Sequence, residues 1–136
     1  MVISTRGKYA LRVLIDLAER REEGYIPLRD IVERQRISQK YVESIMASLS
    51  KAGLVDGVHG RGGGYRLNRP PADYTLGEIF RLTEGDLAPV SCLEGGAEGC
   101  DRAAECKALP VWDRLNALIN NYLDSVTLDS LIEKQE

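Results

Sequence analysis

At 136 residues, with 43% hydrophobic and 29% charged positions, the chain has an ordinary soluble composition and room for one compact domain with an appended arm. No run approaches the roughly 18 apolar residues of a membrane span, and Met1 to Lys8 lacks the apolar core of a secretory signal, so the expected location is cytoplasmic and no membrane is involved. The formal net charge of −3 conceals an asymmetry: residues 1–75 hold 13 Lys/Arg against 9 Asp/Glu, and residues 76–136 hold 5 against 12, which points to a basic working surface on the first half and another task for the second.

The first helix is expected to start at Ser4 or Thr5, either of which can cap it. Ala10, Leu11, Leu14, Leu17 and Ala18 recur at the helical period and give it one apolar face. Glu22-Glu23-Gly24 should end it. Ile26 is held extended by Pro27, and a short helix over 28–35 turns Leu28, Ile31 and Val32 inward. Ser38 is a good cap for the next helix, expected over 39–52, in which Val42, Ile45, Met46 and Leu49 form the inner stripe. Gly53 stands where a left-handed residue closes a helix. Two helices joined by so short a turn read as a helix-turn-helix.

Leu54-Val55 and Tyr65-Arg66-Leu67 flank His59-Gly60-Arg61-Gly62-Gly63-Gly64, the pattern of a β-hairpin with a glycine-rich tip. Thr75-Leu76-Gly77-Glu78 matches a capping box ahead of a helix over 76–84. Residues 85–107 read as a loop. A long helix returns from Leu109 to Leu123, with Pro110 in its first turn, and Thr127 can cap a last short helix through Leu128, Leu131 and Ile132. The fold class is therefore mainly α with a small β-hairpin wing: a winged helix-turn-helix domain over 1–80, a cysteine-containing loop over 81–107, and a dimerisation helix with a short terminal helix over 108–136.

A helix of this kind fits the DNA major groove and reads base edges with its N-terminal residues. Here these are Ser38, Gln39, Lys40, Tyr41, Glu43 and Ser44. Gln pairs with adenine, Lys with guanine or phosphate, and Glu accepts from cytosine. Alone, they would be only the solvated face of an amphipathic helix; beside a wing and a locally basic chain they mark a DNA-binding surface. Arg61 at the glycine tip is suited to a narrow minor groove. His59, the only histidine, adjoins it and on its own reads as an exposed strand residue. Arg6 and Lys8 are candidate phosphate contacts. No Gly-Lys-Ser/Thr follows the glycines, which excludes a phosphate-binding loop of the P-loop type. No catalytic constellation is present, so the chain does not read as an enzyme.

Cys92, Cys100 and Cys106 fall within fifteen residues. Their spacing is neither that of zinc fingers nor that of a ferredoxin run. An odd number of clustered thiols suits a metal site, an iron–sulfur cluster or a thiol redox switch better than a disulfide framework, and the neighbouring Glu94, Glu98, Asp101 and Glu105 argue against simple burial. Trp112, Leu115, Ile119 and Tyr122 form a stripe that the upstream domain does not need. A symmetry mate would cover it, and the resulting homodimer would present two recognition helices about one DNA turn, roughly 34 Å, apart to a palindromic double-stranded DNA operator.

Ile3-Ser4-Thr5-Arg6-Gly7-Lys8-Tyr9-Ala10, Ile37-Ser38 with Tyr41-Val42-Glu43, Lys51-Ala52-Gly53-Leu54-Val55 and Gly60-Arg61-Gly62-Gly63-Gly64-Tyr65 together resemble the IscR/NsrR/CymR-type (Rrf-two) family of dimeric bacterial winged-helix transcription regulators. The resemblance runs essentially end to end. It implies that Cys92, Cys100 and Cys106 hold an iron–sulfur cluster (2Fe–2S or 4Fe–4S) that reports cluster, iron, redox or nitric oxide status, and that Glu43 helps set base choice. The sequence departs from the family in three places. The first cysteine gap is longer. Leu109 stands where the IscR branch has a histidine, which leaves the fourth ligand open. His59 occupies a place often held by arginine, a role that Arg61 can take. Three alternatives remain: the same regulator with a thiol switch and no cluster, a cluster-containing electron carrier, and a protein-binding winged helix.

Overall fold

The computed structural model describes residues 3–90 and 107–133. Helix α1 spans Thr5–Glu19, with Ser4 as its cap accepting a hydrogen bond from the Gly7 N–H at 3.0 Å. The α-helix stops before Glu22 because Arg20 leaves helical dihedrals. The chain then tightens into a 3-10 turn over Arg21–Glu23 and leaves through Gly24 at φ 79°. Helix α2 covers Leu28–Gln35 and ends on Arg36 in the left-handed region, and α3 covers Gln39–Lys51, capped by Ser38. The expected helix-turn-helix is thus formed. Leu54 N–H closes back on Leu49 O at 2.9 Å across Gly53, the hydrogen-bond pattern of a glycine-terminated helix.

Strands β1 (Val55–Val58) and β2 (Gly64–Leu67) pair antiparallel, from Val55 opposite Leu67 to Val58 opposite Gly64. Strand β1 therefore begins one residue later and runs three residues further than the apolar pair Leu54-Val55 suggested, because Leu54 is taken up by closing α3. Ile26 adds a one-residue third strand, exchanging hydrogen bonds with Tyr65 at 2.8 and 2.9 Å. This pairing explains Gly64: a Cβ there would lie 2.1 Å from the Ile26 carbonyl oxygen.

Helix α4 (Leu76–Glu84) is capped by Thr75. Glu78, the other half of the expected capping box, holds Arg69 in a two-pronged ion pair at 2.9 and 3.0 Å. Helix α5 (Leu109–Ser125) runs two residues beyond its expected end, and α6 is Leu128–Glu133. A short antiparallel bridge, Leu76 N–H to Val126 O at 2.9 Å and Leu128 N–H to Tyr74 O at 3.1 Å, folds α6 back over the body.

One core gathers Val13, Leu14 and Leu17 of α1, Ile31 of α2, Val42, Ile45, Met46 and Leu49 of α3, Ile79 of α4 and Leu128 of α6. It encloses two polar fastenings. Tyr74 is wholly buried; its hydroxyl donates to Leu54 O at 2.6 Å and accepts from the Asn68 N–H at 3.1 Å, tying α4's approach to the root of the wing. Asp16, 1% exposed, receives both prongs of Arg34 at 2.8 and 3.0 Å and the Gln35 amide at 2.8 Å. Both carboxylate oxygens of Asp16 are thereby satisfied, which is the condition for tolerating a charge in a core, and α2 is locked to α1.

Candidate nucleic-acid interface

The inner stripe of α3 anchors the helix and thereby fixes which residues face out. Ser38, Gln39, Lys40, Glu43 and Ser44 are exposed, while Tyr41 is half-buried. Tyr41 and Tyr9 meet edge to face with ring centroids 5.4 Å apart, and the Arg12 guanidinium stands 5.2 Å from the centre of the Tyr9 ring. Gln39 and Glu43 are one helical turn apart, and the Gln39 amide donates to the Glu43 carboxylate at 3.1 Å. The outward face is therefore a set of oriented donors and acceptors rather than a row of independent side chains.

The wing stands beside this face. Its tip, with His59 and Arg61 both exposed, borders an open concavity whose other walls are Leu28 and Arg29 of α2, Glu43 of α3 and Tyr65 of β2. Gly60 and Gly62 take φ of 90° and 75° to make the tip turn, and a Cβ on Gly63 would lie 2.2 Å from Val58 O. The tip is therefore bare backbone carrying one cation, a shape that can approach a sugar–phosphate chain closely. A second open concavity flanks α3 on the α1 side, between Arg6, Ser38, Lys40, Tyr41 and Ser44. The recognition face thus lies between two basic grooves.

Lys8 is exposed near the start of α1. Arg6, expected beside it as a phosphate contact, has its guanidinium turned onto α3: one nitrogen donates to Ser44 Oγ at 3.0 Å, the other to Ser44 O at 3.1 Å and Ser48 Oγ at 2.6 Å. Two residues were missed by reading the sequence. Arg29 lines the wing-side groove with an 87% exposed side chain, and its place at the second position of α2 is the signal that could have found it. Ser48 gave no sequence signal, because its role depends on Arg6, 42 residues away.

The cysteines Cys92, Cys100 and Cys106 lie outside the described residues. Among the described residues, no group of three or more His, Cys, Asp or Glu side chains could hold a metal ion. The flanks of the segment are visible. On one side Glu84, at the end of α4, accepts from Ser4 N–H at 3.0 Å and Ser4 Oγ at 2.8 Å. Burial alone would raise the Glu84 pKa, but hydrogen bonds from Thr83 and Ser4 hold it below the ordinary value. On the other side α5 is fastened to α4 by Arg81, which pairs with Asp124 at 2.7 and 3.0 Å and with Asn120 at 2.8 Å.

Helix α5 has no buried residue. Of the expected stripe, Leu115 and Tyr122 are exposed, Trp112 is half-buried, and Ile119 packs against the core. Val111 and Leu118 are also exposed, so the outward apolar row is Val111, Leu115, Leu118 and Tyr122, spaced at three and four residues along one helix face.

A recognition helix set beside a glycine-tipped hairpin on a mostly helical body is the architecture of winged-helix transcription regulators. Residues 3–134 match the model of the Rrf2 family, iron-dependent transcriptional regulators, and the chain belongs to that family. The transcriptional regulator IscR of Aliivibrio salmonicida is 36% identical over 136 residues, covering all of this chain and 80% of its own. Among solved structures, CymR, the global cysteine regulator of B. subtilis, superposes with a TM-score of 0.83 at 34% identity, covering 100% of this chain and 99% of its own. IscR of T. potens follows with a TM-score of 0.79 at 35% identity, covering 100% and 89%. The protein is a DNA-binding transcription regulator and not an enzyme. Among the described residues, no helix is long and apolar enough to cross a membrane.

Proposed function

We propose that the protein is a homodimeric regulator that senses cluster, iron, redox or nitric oxide status through an iron–sulfur cluster held by Cys92, Cys100 and Cys106. The observation that carries this reading is the donor set: three thiols within fifteen residues, on a segment whose flanks are pinned to the DNA-reading body. Three thiolates suit a cluster, and a fourth ligand from elsewhere would complete the set. Bound there, such a group supplies a centre that reacts with oxidants and nitric oxide. The chain's own residues then carry the consequence. Glu84 links the start of the segment to Ser4 at the head of α1, and Arg81 links α5 to α4. A change in the segment between these fixed points shifts DNA affinity only by its differential free energy in the two states.

Two subunits would pair through the outward row of α5, and the exposure of Val111, Leu118 and Tyr122 at 58%, 52% and 66% supports this. Ser38, Gln39, Lys40, Tyr41, Glu43 and Ser44 would face the major groove. Lys8, Arg61 and His59 would meet the backbone or minor groove.

The test is an anaerobic ultraviolet–visible spectrum with iron and acid-labile sulfide assays, wild type beside Cys100→Ala. Broad visible absorbance with iron and sulfide, lost in the variant, is the expected result. A protein colourless and iron-free even after reconstitution would overturn the cluster reading. A second reading makes the same thiols a redox switch, and the likeness to CymR of Staphylococcus aureus, 34% identical and solved in an oxidized form, favours it. That reading expects colourless protein whose DNA binding is lost reversibly on mild oxidation.

A further inference from the structure

We propose that Arg6 is a positioning residue for base recognition: its guanidinium, spread over Ser44 and Ser48, fixes the Ser44 hydroxyl as a hydrogen-bond donor facing the DNA. The proposal rests on the DNA-reading role of α3 and assigns Arg6 a task other than phosphate contact. Three acceptors take up three of its N–H groups: Ser44 Oγ at 3.0 Å, Ser44 O at 3.1 Å and Ser48 Oγ at 2.6 Å. A guanidinium presents its donors in a rigid planar fork, so this contact sets both the lean of α3 against α1 and the rotamer of Ser44.

The chemistry at Ser44 follows. A hydroxyl has one proton to donate and two lone pairs. With Arg6 donating into one lone pair, Ser44 keeps its proton for a further partner, and the adjacent guanidinium charge polarises the hydroxyl towards donating and weakens its remaining lone pair as an acceptor. Ser44 is exposed and lines the α1-side groove with Ser38, Lys40 and Tyr41. A fixed donor there selects bases that present an acceptor in the major groove, namely guanine N7 and O6, adenine N7 or thymine O4, and disfavours the cytosine amino group. Without Arg6 both lone pairs are open and unpolarised, the hydroxyl accepts as readily as it donates, and the discrimination would fade.

Arg6→Lys separates this role from a phosphate contact, because it keeps the charge and removes the fork. Duplexes are first selected from a randomised library with the full-length wild type. Binding to selected and scrambled duplexes is then measured by fluorescence anisotropy across a salt series. For Arg6→Lys, the preference for selected over scrambled DNA should fall about tenfold, the scale of one specific hydrogen bond, with the salt slope unchanged. The loss should concentrate at one base pair per half-site, where cytosine becomes tolerated. Ser44→Ala should relax the same base pair, and Arg6→Lys added to it should change little more, the non-additivity of residues that act as a unit. Ser48→Ala, which removes a partner and no charge, should give a partial version of the same loss. Thermal melting confirms that each variant is folded.

Retained preference in Arg6→Lys overturns the proposal. So does an Arg6→Gln variant that weakens all sequences equally and lowers the salt slope by about one, the signature of a lost phosphate contact. A wild type that selects no sequence removes the DNA-reading role itself, and the proposal with it.

Discussion

Helix α3 has 13 residues and buries Val42, Ile45, Met46 and Leu49 inside its own chain, whereas α5 has 17 residues and buries none. Both helices carry apolar residues at helical spacing, so their difference is one of partners rather than of pattern. The recognition helix is held from behind by α1, α2 and the wing root, and this leaves its polar face free to be read as chemistry. Among the described residues, helix α5 is held on one side, through Arg81 and the contacts of Ile119 and Leu123 with the core. Its other side is an apolar row without a cover among the described residues. The difference separates a DNA-reading half whose apolar stripe is covered within its own chain from a second half whose outward apolar row has no cover among the described residues.

The comparison can be broken most sharply in the core. Leu17→Ala removes a side chain 1% exposed and should cost about 3 kcal/mol, read as an earlier midpoint in urea unfolding. Leu118→Ala on α5 should change the unfolding of a single subunit by under about 0.5 kcal/mol. Equal costs at the two sites would erase the distinction between the regions.

Asp16→Asn should cost about 2 kcal/mol, because an amide nitrogen replaces one buried carboxylate oxygen and turns a donor towards the donors of Arg34 and Gln35. Burial pushes the Asp16 pKa up, but the hydrogen bonds from Arg34 and Gln35 and the nearby positive charges outweigh it and hold the carboxyl below its usual value. The native state then binds fewer protons than the unfolded state around that pKa. Stability from Asp16 is complete above the unfolded carboxylate pKa and is lost as pH falls through the lowered native one. The variant should therefore show a flatter acid limb in a pH series of melting temperatures.

Tyr74→Phe is expected to cost about 1–2 kcal/mol by orphaning the Leu54 carbonyl, measurable as a lowered Tm. The smallest effect belongs to Arg81→Ala. Its pair with Asp124 is exposed on both sides, and such pairs contribute under about 1 kcal/mol. A large loss there would mean that α5 depends on its own chain more than its exposure indicates.

Much of the DNA-reading half is legible in the sequence because its signals are local. Ser4, Ser38 and Thr75 cap the helices they precede, Gly53 follows α3, and the glycine run marks the wing. Residues made by tertiary contact are not legible. Asp16 reads as one polar residue on an amphipathic helix until Arg34 and Gln35 arrive from α2, and Tyr74 reads as a loop aromatic until its hydroxyl meets Leu54. Glu78 fits a local capping box, but Arg69 offers a charged partner and wins it. Arg6 reads as a free cation because nothing nearby in sequence reveals Ser44 and Ser48. On α5 the period of 3.6 identifies a stripe but does not say which edge the core will claim, so Ile119 turns inward while Val111 and Leu118 face out.

We propose a self-sufficient reading head brought in twos to DNA by α5. Light scattering after size-exclusion chromatography, on free protein and on its complex with a selected duplex, tests it most directly. The account predicts two chains per particle in both states, and a Leu118→Glu variant that is monomeric, retains its helical circular dichroism and binds the duplex far more weakly. A wild type that is monomeric when free and engages the duplex as one chain would contradict it.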